Sequence, residues 1–167
     1  KQERIVVLGT GWGGHAISKV IDSDKYEVIY VSPRNYFVFT PMLAASAVGT
    51  VDVRSITEPI RMANPCVKYV SGEAIDIIPR DKKVRREDRQ RPVKPDDARP
   101  LVELSYDKLV YAIGTETGTF GVPGVRENCY MLKEASDARL LRAAIVNVLE
   151  EACLPGVTDE EKKKLLS

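Results

Sequence analysis

A short β-branched run that stops on glycines constrains this chain more than any other feature. Arg4-Ile5-Val6-Val7-Leu8 reads as a buried parallel strand. It runs straight into Gly9-Thr10-Gly11-Trp12-Gly13-Gly14, a G-x-G-x-x-G loop. From His15 onward, Ala16, Ile17, Val20 and Ile21 fall at helical spacing. Tyr26 to Val31 reads as a second strand, stopped at Ser32-Pro33 because proline lacks the donor that a central strand needs. Strand, glycine loop, helix and strand make a βαβ unit. The first glycine of such a loop permits a tight turn, the second lets backbone approach a pyrophosphate, and the third lets helix and strand pack closely. The anion then meets N–H groups at a helix N-terminus. The pattern therefore points to a dinucleotide.

The remaining chain alternates apolar runs with breakers. Asn35 to Met42 is aromatic-rich but broken by Pro41, and reads as a loop or short helix over a site. Ser46 to Thr50 is small and flexible in character, and Val53 to Met62 reads as a helix weakened by Pro59. Cys66 to Ile78 predicts one or two strands. Arg80 to Pro100, dense in charge and carrying Pro92, Pro95 and Pro100, reads as a solvated loop or hairpin tip. Leu101 to Tyr106 alternates and should pair back across it, and Leu109 to Ile113 forms another buried strand ending at Gly114. Ser136 is positioned to cap a helix with the apolar face Ala138, Leu141, Ala144, Ile145, Val148, Leu149. Thr158 to Leu166 predicts a short charged helix.

Composition narrows the possible functions. Among 167 residues, 25 Lys and Arg balance 24 Asp and Glu, so no whole-domain field favours nucleic acid. The basic half of the charged stretch, Lys82 to Arg91, has acidic neighbours and no aromatics, unlike a nucleic-acid surface. No apolar run approaches the ~20 residues of a membrane helix. The chain opens at Lys1, which reads as a trimmed or processed start. Cys66, Cys129 and Cys153 form no C-x-x-C pair, so neither a redox dithiol nor a metal site is signalled, and they read as small buried or half-buried residues of a reducing compartment. His15, the only histidine, is the one candidate acid–base group, and a surface position is the plainer expectation.

Which dinucleotide is less plain. A ribose-binding acid is expected at the end of the second strand, roughly 20 residues after the loop. Ser32-Pro33-Arg34-Asn35 stands there instead. A serine hydroxyl can bond a ribose, while an arginine accommodates a 2′-phosphate, so these residues alone fit NADP and FAD about equally.

Longer runs carry a closer resemblance. The chain resembles the N-terminal, FAD-binding part of type II NADH dehydrogenases, the single-chain rotenone-insensitive NADH:quinone oxidoreductases of mitochondria. The matching runs are Val7 to Gly14, Val31 to Phe37, Phe39-Thr40-Pro41-Met42-Leu43, Val48 to Val51, Glu58-Pro59-Ile60-Arg61, Thr119 to Val125 and Leu132-Lys133-Glu134, and Tyr106 to Thr115 resembles the second signature of flavoproteins with two dinucleotide-binding domains. The chain departs from the family at Ala44-Ala45, where proline and serine are usual.

The resemblance implies an α/β fold: a Rossmann-like FAD-binding domain with a mostly parallel sheet flanked by helices and a small antiparallel excursion between Arg80 and Leu104. It implies that 1–125 form the FAD-binding domain, with the charged loop at 80–100, and that 126–167 connect toward an NADH-binding domain. Gly9, Gly11, Trp12, Gly13 and Gly14 would hold the pyrophosphate, and Ser32, Pro33 and Arg34 the adenosine ribose, which favours FAD over NADP. Thr40 and Pro41 would lie by the flavin end, Ala74 would offer backbone to the adenine, and Gly114 would close over the cofactor. The implied activity is non-proton-pumping NADH:quinone oxidoreduction at the mitochondrial inner membrane, with membrane contact through a C-terminal part. No acid–base catalytic side chain and no metal are implied. The alternatives are a shortened non-catalytic relative serving as a structural or nucleotide-binding subunit of a larger respiratory assembly, and an NADP enzyme using Arg34.

Overall fold

A computed structural model describes residues 2–90, 92 and 97–167. The parts of the expected charged loop at 91 and 93–96 lie outside the described residues. The chain divides into two compact units, one of residues 1–38 with 58–115, the other of 39–57 with 116–167.

The first unit is built on a parallel sheet. Strands β1 (Glu3–Leu8), β2 (Tyr26–Ser32), β5 (Lys68–Ser71) and β9 (Lys108–Tyr111) lie in the order β5-β2-β1-β9. Val6, Val7 and Leu8 on β1 and Val28 to Val31 on β2 are all buried, because both faces of the sheet are covered. The side chains alternate between the two faces. Ile5, Val7, Val28 and Tyr30 face one core with Ile17 and Ile21 beyond the loop and with Ile60. These belong to α1 (Trp12–Val20), its C-cap Ile21 and α3 (Ile60–Ala63). Val6, Leu8, Ile29 and Val31 face the other core. An antiparallel sheet of β6 (Ala74–Ile78), β7 (Lys83–Glu87) and β8 (Leu101–Ser105), in that order, supplies Val84, Ile77 and Leu104 to this second core. The fold is therefore the expected α/β class with a parallel sheet, an antiparallel sheet covering one of its faces.

Several local expectations are corrected. The charged stretch after Arg80 contains β7, whose alternate residues Val84 and Arg86 are buried, followed by buried Asp88. Its outward residues Lys83 and Arg85 pair with Glu103 on β8. Val53 to Met62 is not one helix. A 3₁₀ turn at Val53–Ile56, capped by the Asp52 carboxylate, leads into β4 (Thr57–Pro59) and then α3. Pro59 holds Glu58 extended and cannot donate within a helix. Tyr36–Val38 forms a short strand, β3, beside β4. β9 ends at Tyr111, before Gly114, and is half-buried. Helix α1 starts at Trp12, three residues before His15. All three cysteines are exposed.

The second unit is helical. It contains a 3₁₀ turn at Thr40–Met42, α2 (Leu43–Ala47), α4 (Val125–Asn128), α5 (Ala135–Ala152) and α6 (Asp159–Leu165). The small segment around Ser46 is thus helix, and α2 packs on α5. Beyond α2, Gly49 takes φ +82 under the Arg142 guanidinium, where a Cβ would be crowded. Ser136 does not cap α5. The cap position is Glu134, and the Asp137 carboxylate accepts the Lys133 and Glu134 N–H groups at 2.9 and 2.8 Å. Thr158 caps α6 through a capping box with Glu161. Among the described residues, no helix is long and apolar enough to cross a membrane.

Candidate functional site

The glycine loop sits at the C-terminal end of β1, where α/β sheets bind ligands. Its three motif glycines are needed for three different reasons. Gly9 has φ +99, and a Cβ there would run into the Ala112 carbonyl oxygen. Gly14 lies so close beneath the loop that a Cβ would run into the Gly9 carbonyl oxygen. Gly11 is the contrast: a Cβ there would meet only the Arg34 guanidinium, 3.5 Å away. Two glycines therefore satisfy the protein's own packing, and the middle one faces space.

That space has an electrostatic bias. Gly11 is the N-cap of α1, no side chain caps the helix, and its first turn holds no acidic residue. The partial positive charge of the helix end is thus met by no acidic side chain of the helix's own first turn. The Arg34 guanidinium at Gly11 adds a full positive charge, and its burial pulls its pKa below the usual arginine range.

Buried groups hold the loop rigid. The Thr10 hydroxyl, 1% exposed, lies 3.2 Å from the Ser32 hydroxyl and reaches the Arg34 and Tyr36 carbonyls at 3.0 and 3.2 Å. Ser32 is itself buried, and the Arg34 N–H donates to its hydroxyl at 3.4 Å. The Tyr30 hydroxyl donates to the Gly14 carbonyl at 2.9 Å, and burial pushes its pKa up to about 12. His15 is buried rather than at the surface. Its ring stacks on Phe37 at 4.1 Å, and its Nε2 lies 2.7 Å from Glu58 Oε2. Trp12, half exposed, sits edge-on to the same Phe37 ring. The His15 contact, joined by Lys19, holds the Glu58 carboxyl below the usual carboxylate range. His15 thus packs the helix start in place and is committed to Glu58.

The sequence-predicted residues are distributed as follows. Gly9 to Gly14 and Ser32 to Arg34 come together at the ends of β1 and β2. Ala74 opens β6, after a turn whose Gly72 N–H donates to the Ser32 carbonyl at 3.2 Å. Gly114, at φ +74, lies just past β9 with no protein atom near a Cβ. Thr40 and Pro41 belong to the second unit, exposed on the 3₁₀ turn before α2. Sequence reading missed Thr10, Tyr30, Phe37, Glu58 and Ala112. Only Ala112 left a trace, as the small residue where an apolar strand meets a glycine.

A strand–loop–helix whose helix start has no side-chain cap and whose turn is lined by glycines defines a dinucleotide-binding domain of the Rossmann type. Residues 3–154 match the pyridine nucleotide-disulphide oxidoreductase family, and the chain belongs to it. Among its relatives is the external alternative NAD(P)H-ubiquinone oxidoreductase B2 of Arabidopsis thaliana, 41% identical over 99% of this chain and 29% of that protein. The external NADH-ubiquinone oxidoreductase 2 of Saccharomyces cerevisiae is 40% identical over 100% of this chain and 30% of its own length. The structure of NDH2 from Plasmodium falciparum in complex with NADH superposes with a TM-score of 0.87 at 37% identity, covering 98% of this chain and 33% of that one. The chain therefore spans about a third or less of the length of these relatives.

Proposed function

We propose that this chain is the FAD-binding portion of an NADH:quinone oxidoreductase of the type II, non-proton-pumping kind. The observation that carries the reading is the opening at Gly11, flanked by the uncapped start of α1 and the Arg34 guanidinium. A pyrophosphate fits this chemistry: an anion meeting a helix end without a side-chain cap and a cation, with no Cβ at Gly11 in the way.

In this reading Gly9, Gly11, Trp12, Gly13 and Gly14 frame the pyrophosphate. Ser32, Pro33 and Arg34 bound the adenosine ribose, and Ala74 offers backbone to the adenine. Thr40 and Pro41 belong to the flavin end, and Gly114 closes over the cofactor. The Ser32 hydroxyl already serves Thr10 and the Arg34 N–H. Because the Thr10 proton goes to a carbonyl, the Ser32 proton is directed at Thr10, and its part toward a ribose is to shape the strand end and to accept. Bound FAD would supply the hydride and electron chemistry, and the protein supplies orientation and electrostatics. Residues 1–125 then act as the cofactor domain, and 126–167 lead toward an NADH-binding domain of the full-length protein. The relatives' names, which specify mitochondria, NADH or NAD(P)H and ubiquinone, support a mitochondrial setting with NADH and a quinone as substrates, and inner-membrane association belongs to the same proposal.

Titration of the purified chain with FAD, followed by flavin fluorescence, tests this reading. Wild type should bind, and Gly11→Val should not, because its side chain occupies the pyrophosphate's place. Equal binding by both would refute the assignment. No binding by wild type would favour the second reading, a shortened relative acting as a structural subunit of a larger respiratory assembly.

A further inference from the structure

A buried ion pair stands apart from the glycine loop and is not explained by it. Arg86 and Asp88 are 8% and 5% exposed, with Nη1 and Oδ1 3.5 Å apart. Burying two charges costs desolvation that their attraction rarely repays, and packed apolar residues of similar volume often serve stability as well. The pair is therefore better explained by the geometry it imposes than by stability.

That geometry falls on the turn Ser71 to Ala74, which joins β5 to β6. Arg86 Nη1 donates to the Glu87 carbonyl at 3.2 Å and reaches the Ser71 carbonyl at 3.5 Å. One guanidinium nitrogen thus faces both carbonyls and the Asp88 carboxylate. Gly72 is seated against the same strand end, since a Cβ there would run into the Glu87 carbonyl oxygen and lie 3.3 Å from Arg86 Nη1. Glu87 N–H donates to the Glu73 carbonyl at 2.9 Å, and Arg89 clasps the Glu73 carboxylate at 2.8 Å. Asp88 completes the support by accepting the Gln90 N–H at 3.1 Å, while its own N–H donates to the Pro100 carbonyl at 2.9 Å.

The register gives this support a direction. Ala74 pairs with Arg86 itself, and the bond from Glu87 to Glu73 marks the neighbouring pair as hydrogen-bonded. In an antiparallel ladder the next pair is then non-hydrogen-bonded, so the Ala74 N–H and C=O are directed away from β7. One donor and one acceptor at adjacent positions match the N1 and N6-amino edge of an adenine.

We propose that Arg86, held by Asp88, is a positioning residue that fixes the Ala74 backbone to select adenine over other purines. The inference rests on the dinucleotide reading above and adds a base specificity to it. A site built to accept the N6-amino proton rejects a base that lacks it, because a buried acceptor is then left unpaired.

The test compares FAD with deamino-FAD, in which hypoxanthine replaces adenine, by fluorescence titration of the chain. Wild type should prefer FAD by about tenfold or more. Arg86→Met strands the Asp88 charge, so Arg86→Met/Asp88→Leu, which keeps volume without a stranded charge, is measured beside it. The double variant should stay folded, melting below wild type only by the loss of a donor to the Ser71 and Glu87 carbonyls, and lose most of the preference, FAD weakening about tenfold while deamino-FAD is unchanged. An unchanged preference, or an equal loss for both ligands, overturns the positioning role. A wild type that binds both ligands equally overturns adenine selection and leaves the dinucleotide site standing. A wild type that binds neither overturns the dinucleotide reading, and the inference with it.

Discussion

Alanine at Gly14 and alanine at Gly11 should fail in opposite ways. At Gly14 the new methyl meets the Gly9 carbonyl oxygen, which is backbone and cannot swing aside. Helix α1 must lift from the loop, and overpacking of this kind costs about 1–3 kcal/mol. The lift also stretches the 2.9 Å bond from the Tyr30 hydroxyl to the Gly14 carbonyl. Alanine recovers at most about 1 kcal/mol of helix propensity over glycine, so a net loss of up to about 2 kcal/mol remains, toward the upper end because the clash is with backbone. At Gly11 the backbone is at φ −73, and the nearest atom to a Cβ is 3.5 Å away. Loss of a good N-cap residue and the reduced freedom of the unfolded chain nearly cancel there, leaving stability within about 0.5 kcal/mol of wild type. FAD affinity should nevertheless drop on the order of a hundredfold, since the methyl lies where the pyrophosphate approaches. Urea unfolding followed by circular dichroism reads the first effect, and flavin titration the second. Gly14→Ala as stable as wild type, or Gly11→Ala with wild-type FAD affinity, would refute the division of labour among these glycines.

Three further outcomes are expected. Glu58, held below the usual carboxylate range by His15 and then Lys19, stabilises the fold above the ordinary carboxylate value of 4.5, and that contribution is lost as pH falls through its lower folded value. Urea midpoints of wild type and Glu58→Gln should therefore differ most above the ordinary carboxylate value of 4.5 and converge as pH falls below it, and a constant gap across that range would refute the link. Tyr30→Phe leaves the buried Gly14 carbonyl without its hydroxyl donor and should cost about 1–2 kcal/mol by the same unfolding assay. The buried Ser46 hydroxyl has no hydrogen-bond partner among the described residues, so Ser46→Ala should raise stability by up to about 1 kcal/mol in a thermal melt.

The parts of the fold visible in the sequence are those whose reasons are local. Val6 to Leu8 and Val28 to Val31 are apolar without alternation because both sheet faces are covered, and the glycine spacing follows from the turn itself. Strand β7 is hidden in the sequence because its inward positions hold one valine and one half of a buried ion pair, whose partner Asp88 follows the strand, and such charges look solvated. His15 was misplaced because Phe37 and Glu58, which bury it, lie far along the chain. The 3₁₀ turn and β4 were read as helix because Ile56 and Ile60 share helical spacing, while Pro59 overrides it locally. In the candidate site, the glycines and the Ser32 to Arg34 corner were legible. The hydroxyls of Thr10 and Tyr30 that brace them were not, since a buried hydroxyl carries no periodic signature.

The chain departs from the first unit after β3 and re-enters it at β4, two strands that lie side by side. Residues 39–57 are thus an insertion with adjacent ends, and lengthening such a segment adds closure entropy only logarithmically, about 0.6 kcal/mol per doubling. Lengthening the chain at this joint should therefore leave the β3–β4 pairing in place. For the same reason, a tight hairpin grafted from Val38 to Glu58 is the natural route to a minimal version of the first unit.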